Sequence, residues 1–311
     1  MAMYWFMIWM MVFATADDPA PSPPSVELNV NGNRLPEYRL AFVVMPGDSA
    51  VFSVLDENCG WSATAGSPRT GSGSSFSWTA PRGHGIYYLD VSCEDAVEKY
   101  TVIVPVETCR WRTTTLNSFP VGSYGDGNGR ERQPEYFIEL TRSTTGASVS
   151  THLNLGQFIC HIEGSYPQYM TLDLRLVDKL EQMLAAVQEV YPEAAGIHNI
   201  SGFRTPEYNA SIGNNTTESL HLYGQAADIW IESWPSNQLM DDIDRNKRID
   251  VYDGEYLVEI VRTLEAQGKV VTGGASAYRW IPTHGPFVHV DTRGSTAVWP
   301  TRRTLVEDPV I

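Results

Sequence analysis

Three separated stretches carry side chains suited to holding a divalent metal: Ser201-Gly202-Phe203-Arg204, Ser219-Leu220-His221-Leu222-Tyr223-Gly224-Gln225-Ala226-Ala227-Asp228, and Phe287-Val288-His289-Val290-Asp291. Read as strands, Ala227 to Ile231 puts Asp228 and Trp230 on one face with Ile229 and Ile231 on the other. Phe287 to Asp291 likewise aligns Phe287, His289 and Asp291. If the two strands are neighbours, Asp228 and His289 face one pocket. Gly224 permits a turn that folds His221 back over it. Two imidazoles and one carboxylate form a ligand set for Zn²⁺ that keeps a fourth position for water, and such a water ionises near neutral pH.

A second oxygen-rich run, Asp242-Ile243-Asp244-Arg245-Asn246-Lys247-Arg248-Ile249-Asp250-Val251-Tyr252-Asp253, follows the spacing of a Ca²⁺ loop. Asp242, Asp244, Asn246, Asp250 and Asp253 are its candidate side-chain ligands and Arg248 its candidate main-chain ligand. Lys247 stands where such loops carry the turn glycine, and Asp253 where they carry glutamate. The expectation is a structural Ca²⁺ beside the zinc domain.

The His221, Asp228 and His289 pattern resembles the LAS metallopeptidases, the superfamily of lysostaphin-type peptidases, D-Ala-D-Ala carboxypeptidases and the sonic hedgehog domain, with the zinc D-Ala-D-Ala carboxypeptidases nearest. The resemblance covers roughly residues 148 to 300. It implies a zinc peptidase acting on D-amino-acid-containing bonds of peptidoglycan stem peptides, by carboxypeptidase or endopeptidase action. It also makes Arg204 the substrate-orienting arginine, a role its planar fork suits when the substrate ends in a carboxylate. Many such carboxypeptidases place a proton shuttle two or three residues before the third ligand, where this chain has Pro286 and Phe287. Asp291, on the face of His289, is the first candidate for the base, and His284 the second. The alternative is a non-catalytic, zinc-stabilised wall-binding or signalling module; a fourth protein ligand on the metal would favour it.

Positioning these groups requires an α+β domain. Leu176, Leu180, Met183, Leu184 and Val187 form one helical stripe, and Leu257, Ile260, Val261 and Leu264 a second; with the strands they predict an antiparallel-sheet peptidase domain over residues 148–311. Short β-branched or alternating runs from Val26 to Val106, broken by Gly, Pro, Asn and Ser, predict a small all-β sandwich over 26–106. Phe76 to Pro81 followed by Gly85 to Val91 resembles late strands of immunoglobulin-like modules. Residues 107–147, rich in Thr, Ser, Gly and Arg, read as a surface connection.

The apolar run Met1 to Ala16, ending Ala14-Thr15-Ala16, is shorter than the roughly 20 residues of a membrane span and reads as a signal peptide, and 17–25 as a Pro-rich linker. Export to a periplasmic or extracellular space follows, with no membrane span after cleavage. Cys59, Cys93, Cys109 and Cys160 lack CxxC spacing and read as disulfides, with Cys59–Cys93 and Cys109–Cys160 the preferred pairing. A formal charge of -15, from 22 Lys and Arg against 37 Asp and Glu, argues against nucleic acid as a partner. His84, His152, His161 and His198 read as ordinary satisfied histidines. No residue of the sandwich identifies a protein partner.

Overall fold

A computed structural model describes residues 24–94, 96–108, 113–124, 133–162, 164, 166–280 and 284–299. The expected signal peptide, most of the linker and Cys109 lie outside these residues. Among the described residues no helix is long and apolar enough to cross a membrane.

The N-terminal unit is a sandwich of two sheets. Strands β1 (Asn29–Val30), β2 (Asn33–Arg34), β4 (Ser49–Ser53) and β7 (Ser75–Thr79) form one sheet in the order β2-β1-β4-β7. The second, β3-β9-β8-β5-β6, contains β3 (Ala41–Val43), β5 (Cys59–Ala63), β6 (Thr70–Ser72), β8 (Gly85–Cys93) and β9 (Ala96–Val104). Period-two alternation builds the core: in β4, Ala50 and Phe52 are buried while Ser49 and Val51 are exposed. The Phe52 ring lies 5.3 Å from Phe42 and 5.9 Å from Trp78. Cys59 and Cys93, directly paired across β5 and β8, form the expected disulfide. Cys160 is a free, buried thiol that accepts a hydrogen bond from Thr205 N, in place of the second expected bridge.

After β10 (Val106–Glu107) and the hairpin of β11 (Thr115–Leu116) and β12 (Phe119–Pro120), β13 (Tyr136–Leu140) pairs with β10 and with β14 (Gln168–Met170). The connection expected over 107–147 is therefore more than a surface crossing. Phe119, Val121, Phe137, Ile138, Leu140 and Ala147 are buried in the C-terminal core, an apolar set hidden in sequence by its Thr, Ser and Gly surroundings.

The C-terminal unit is α+β. Helix α1 (Leu174–Val190) is capped by Asp173, whose side chain accepts from Arg175 N. Then come β15 (Ala194–Ser201), α2 (Pro206–Ser211), β16 (Ala226–Ser233), α3 (Val251–Ala266), β17 (Ala275–Tyr278) and β18 (Phe287–Asp291). The antiparallel sheet runs β15-β16-β18-β17. On one face Ile229, Ile231, Val288 and Val290 share a core with Leu180, Met183 and Leu184 of α1 and Leu257 and Val261 of α3. Its other face carries the polar groups. The two units are joined by Arg39, which donates from Nε to Asp178 at 2.9 Å and from Nη2 to Leu174 O at 3.0 Å, and by the Leu40 N to Val149 O bond.

Candidate metal centre

Strand register assembles the site. Ser201 pairs with Asp228, Asp228 with His289, and His289 with Ser276, so one row crosses all four strands. His221 comes from a 3-10 turn, Leu220–Tyr223, that ends at Gly224 with φ +62°. A Cβ on Gly224 would collide with the main chain of Thr171, so the left-handed turn and the close approach both require glycine. That turn brings His221 over Asp228 and His289, and one ligand atom from each of the three buried residues lies within 4.8 Å of the others.

Each imidazole is oriented by a bond at its other nitrogen. His221 Nδ1 lies 2.7 Å from Gly202 O, which leaves Nε2 facing the cluster. His289 Nε2 lies 3.4 Å from Asp291 Oδ2, which leaves Nδ1 at 2.9 Å from Asp228 Oδ1 and 3.3 Å from His221 Nε2. This is how protein groups outside the coordination sphere fix tautomer and ring direction in metal sites. Burial lowers the pKa of His221 despite Asp228 beside it. Burial would also lower His289, but its hydrogen bonds to Asp228 and Asp291 outweigh that and raise it. Burial alone would raise Asp228; the two imidazoles instead hold its carboxyl well below the usual carboxylate range. A divalent ion replaces the proton that such a cluster otherwise retains.

Arg204 stands beside the candidate ligands. Its guanidinium pairs with Asp228 Oδ2 and donates from Nε to Ser201 Oγ at 2.7 Å, and the residue is buried. Asp291 is fully buried, and its oxygens accept from Gly274 N at 2.7 Å and from Arg293 Nε at 3.0 Å as well as meeting His289. Burial would raise its pKa; His289, Arg293 and Gly274 hold it far below the ordinary value. From behind the sheet, buried Lys179 of α1 donates to Asp291 O at 2.7 Å and to Glu265 of α3 at 2.7 Å, tying the end of β18 to both helices. His284 is half-buried, with Nδ1 2.7 Å from Gly285 O and its ring edge-on to Phe287 at 4.8 Å.

Sequence reading missed the aromatic row beside the ligands. His198 stacks on Trp230 at 4.1 Å, and Tyr278 on Phe287 at 4.6 Å, each pair matched across neighbouring strands. A register shift between Asn199 and Ser201 lets His198 and Ser201 share a face. Burial pushes the His198 imidazole down to about 4, so it is neutral at pH 7. His84 pairs with Glu139 and His152 with Glu181, as satisfied histidines do.

Of the candidate Ca²⁺ ligands, Asp242, Asp244 and Asp253 converge within 4.8 Å, whereas Asn246 and Arg248 are exposed and Asp250 caps α3 through Tyr252 N. The loop's own N–H groups occupy most of the carboxylate oxygens, Asp242 Oδ1 being buried without a partner. Asp253 accepts from Ile243 and Asp244 N at one oxygen and from Asp250 N at the other, and Asp242 Oδ2 accepts from Lys247 N. The Asp spacing is thus that of a helix-capping loop, and the calcium expectation is not supported.

Residues 157–258 match the family model described as Peptidase M15. The matched stretch includes Arg204, His221 and Asp228 and ends before His289, which the sheet register brings to them. This similarity supports a zinc metallopeptidase. No curated protein and no solved structure matches the chain.

Proposed function

We propose that this protein is a zinc peptidase that hydrolyses D-amino-acid-containing peptide bonds in the stem or cross-link of peptidoglycan, outside the cytoplasm. The observation that carries the reading is the convergence of His221 Nε2, Asp228 and His289 Nδ1, with the remaining imidazole nitrogens anchored by Gly202 O and Asp291. Two neutral imidazoles and a carboxylate fit zinc. Zinc held there supplies a Lewis acid and lowers the pKa of water toward neutrality. Among the described residues the cluster consists of these three, the count of a catalytic site and one short of a closed structural site. That favours the enzyme over the wall-binding module.

Arg204 orients and charge-balances Asp228, and with Ser201 it forms the polar side of the site. Asp291 is a positioning residue for His289, its oxygens being committed to Arg293 and Gly274. With Asp291 so committed, His284 is the remaining candidate for proton transfer, its Nδ1 contact with Gly285 O leaving Nε2 to exchange a proton. The sandwich is docked to the catalytic unit through Arg39. Elemental analysis tests the ligand assignment. About one zinc per chain is expected, lost in His221→Ala and His289→Ala; undiminished zinc in either variant would remove that residue from the set.

A further inference from the structure

On the open edge of the site sheet the chain returns alongside β17. Ala297 bridges Gly274 in parallel, Ala275 N donates to Ala297 O at 3.3 Å, and Arg262 Nη2 donates to the same oxygen at 2.7 Å. This backbone anchor sets Trp299 edge-on to His289, with ring centroids 5.2 Å apart. The indole is held from several sides: Nε1 donates to Tyr278 OH at 2.9 Å, Ser276 Oγ donates to Trp299 O at 3.1 Å, and the Arg293 guanidinium lies 5.6 Å from the ring. Gly274, Ser276 and Tyr278 alternate along one side of the chain, and a Cβ on Gly274 would come within 3.0 Å of the indole ring. Tyr278 continues the wall by stacking on Phe287. Trp299, Tyr278 and Phe287 are all half-buried, so part of each ring is open to a ligand.

The aromatic row spans the sheet, with His198 on Trp230 at β15–β16 and Tyr278 on Phe287 at β17–β18, but its two ends differ. At the first, Trp230 is buried and Ser201 and Arg204 stand beside it; at the second, Trp299 joins the half-buried pair to form a wall. A peptide laid across the three candidate ligands would set one flanking residue on that wall. Apolar surface is stabilised by burial there, whereas a carboxylate side chain is desolvated against the electron-rich faces of the rings. We propose that Trp299 is a specificity-determining residue: with Tyr278 and Phe287 it forms an apolar subsite that takes the residue next to the cleaved bond and selects an alkyl side chain over an anionic one. The proposal rests on the peptidase reading for its catalytic consequence and on the wall alone for binding.

The test uses full-length protein and two synthetic peptides that differ only in the residues flanking the cleaved bond, D-alanine against D-aspartate. In zinc-loaded protein, wild type is expected to favour the alanine peptide in kcat/KM. Trp299→Ala should lose about tenfold or more of that preference, mainly through KM, with zinc content unchanged, and Trp299→Phe should keep most of it. Binding of the same peptides to zinc-depleted protein, measured by calorimetry, should show the same ordering and the same loss. Equal binding of both peptides by wild type, or an unaltered preference in Trp299→Ala, overturns the subsite. Zinc lost in step with activity in Trp299→Ala also overturns it, since the indole would then serve His289 alone. Should Trp299→Ala fail to fold, Tyr278→Phe replaces it: without its 2.9 Å indole anchor the preference should drop several-fold, and no drop counts against the proposal. Absence of turnover in wild type would sink the peptidase reading while the calorimetric comparison still decides the wall.

Discussion

Replacing Asp291 by Asn separates the two roles open to that carboxylate. The substitution preserves volume but removes a negative charge and exchanges one acceptor for an amide donor. Gly274 N, at 2.7 Å from Oδ1, can keep its acceptor, and Arg293, whose side chain is 31% exposed, can turn to water. The uncompensated loss falls on His289, whose Nε2 sits 3.4 Å from Oδ2. Loss of such a partner typically weakens metal binding 10- to 100-fold, or about 1.4 to 2.8 kcal/mol. The expected result is a zinc Kd, measured by chelator competition, raised within that range, with kcat at saturating zinc reduced much less. A zinc Kd equal to wild type together with a kcat lowered about 10²- to 10⁴-fold would refute the reasoning and make Asp291 the proton carrier.

His284→Asn should lower kcat by about 10²-fold or more while zinc content stays the same; wild-type turnover in that variant would place proton transfer elsewhere. Burial raises Asp253 from 3.8 to about 6, so its proton is held more tightly in the native state, and stability present below pH 3.8 is lost as pH rises through 6. The stability advantage of wild type over Asp253→Asn should therefore shrink by about 2 kcal/mol between pH 4 and pH 7, read from urea unfolding at each pH; a pH-independent difference would mean that Asp253 is ionised throughout.

The convergence of the three candidate ligands was legible in their family-like spacing and in local rules. Alternation put Asp228 and His289 on the site face of their strands, and Gly224 marked the turn at His221. What those rules could not supply was strand order. Trp299 reaches His289 only because the chain returns along β17, and His198 meets Trp230 only through the register shift in β15, so neither pair has a sequence signature. For Arg204 the sequence leaves two partners open, a substrate carboxylate or a neighbouring acid, because a bidentate fork suits either; the structure pairs it with Asp228. In the loop from Asp242 to Asp253, Asp and Asn spacing serves both calcium loops and capped helix starts, and only the N–H groups pointing at Asp253 distinguish them.

The most direct measurement is digestion of purified peptidoglycan by the zinc-loaded protein, with the released fragments identified by mass. The account predicts fragments from cleavage of a D-amino-acid-containing peptide bond, absent when His221→Ala or His289→Ala protein is used. Wild-type protein that carries zinc yet releases no fragment across a broad pH range would contradict it.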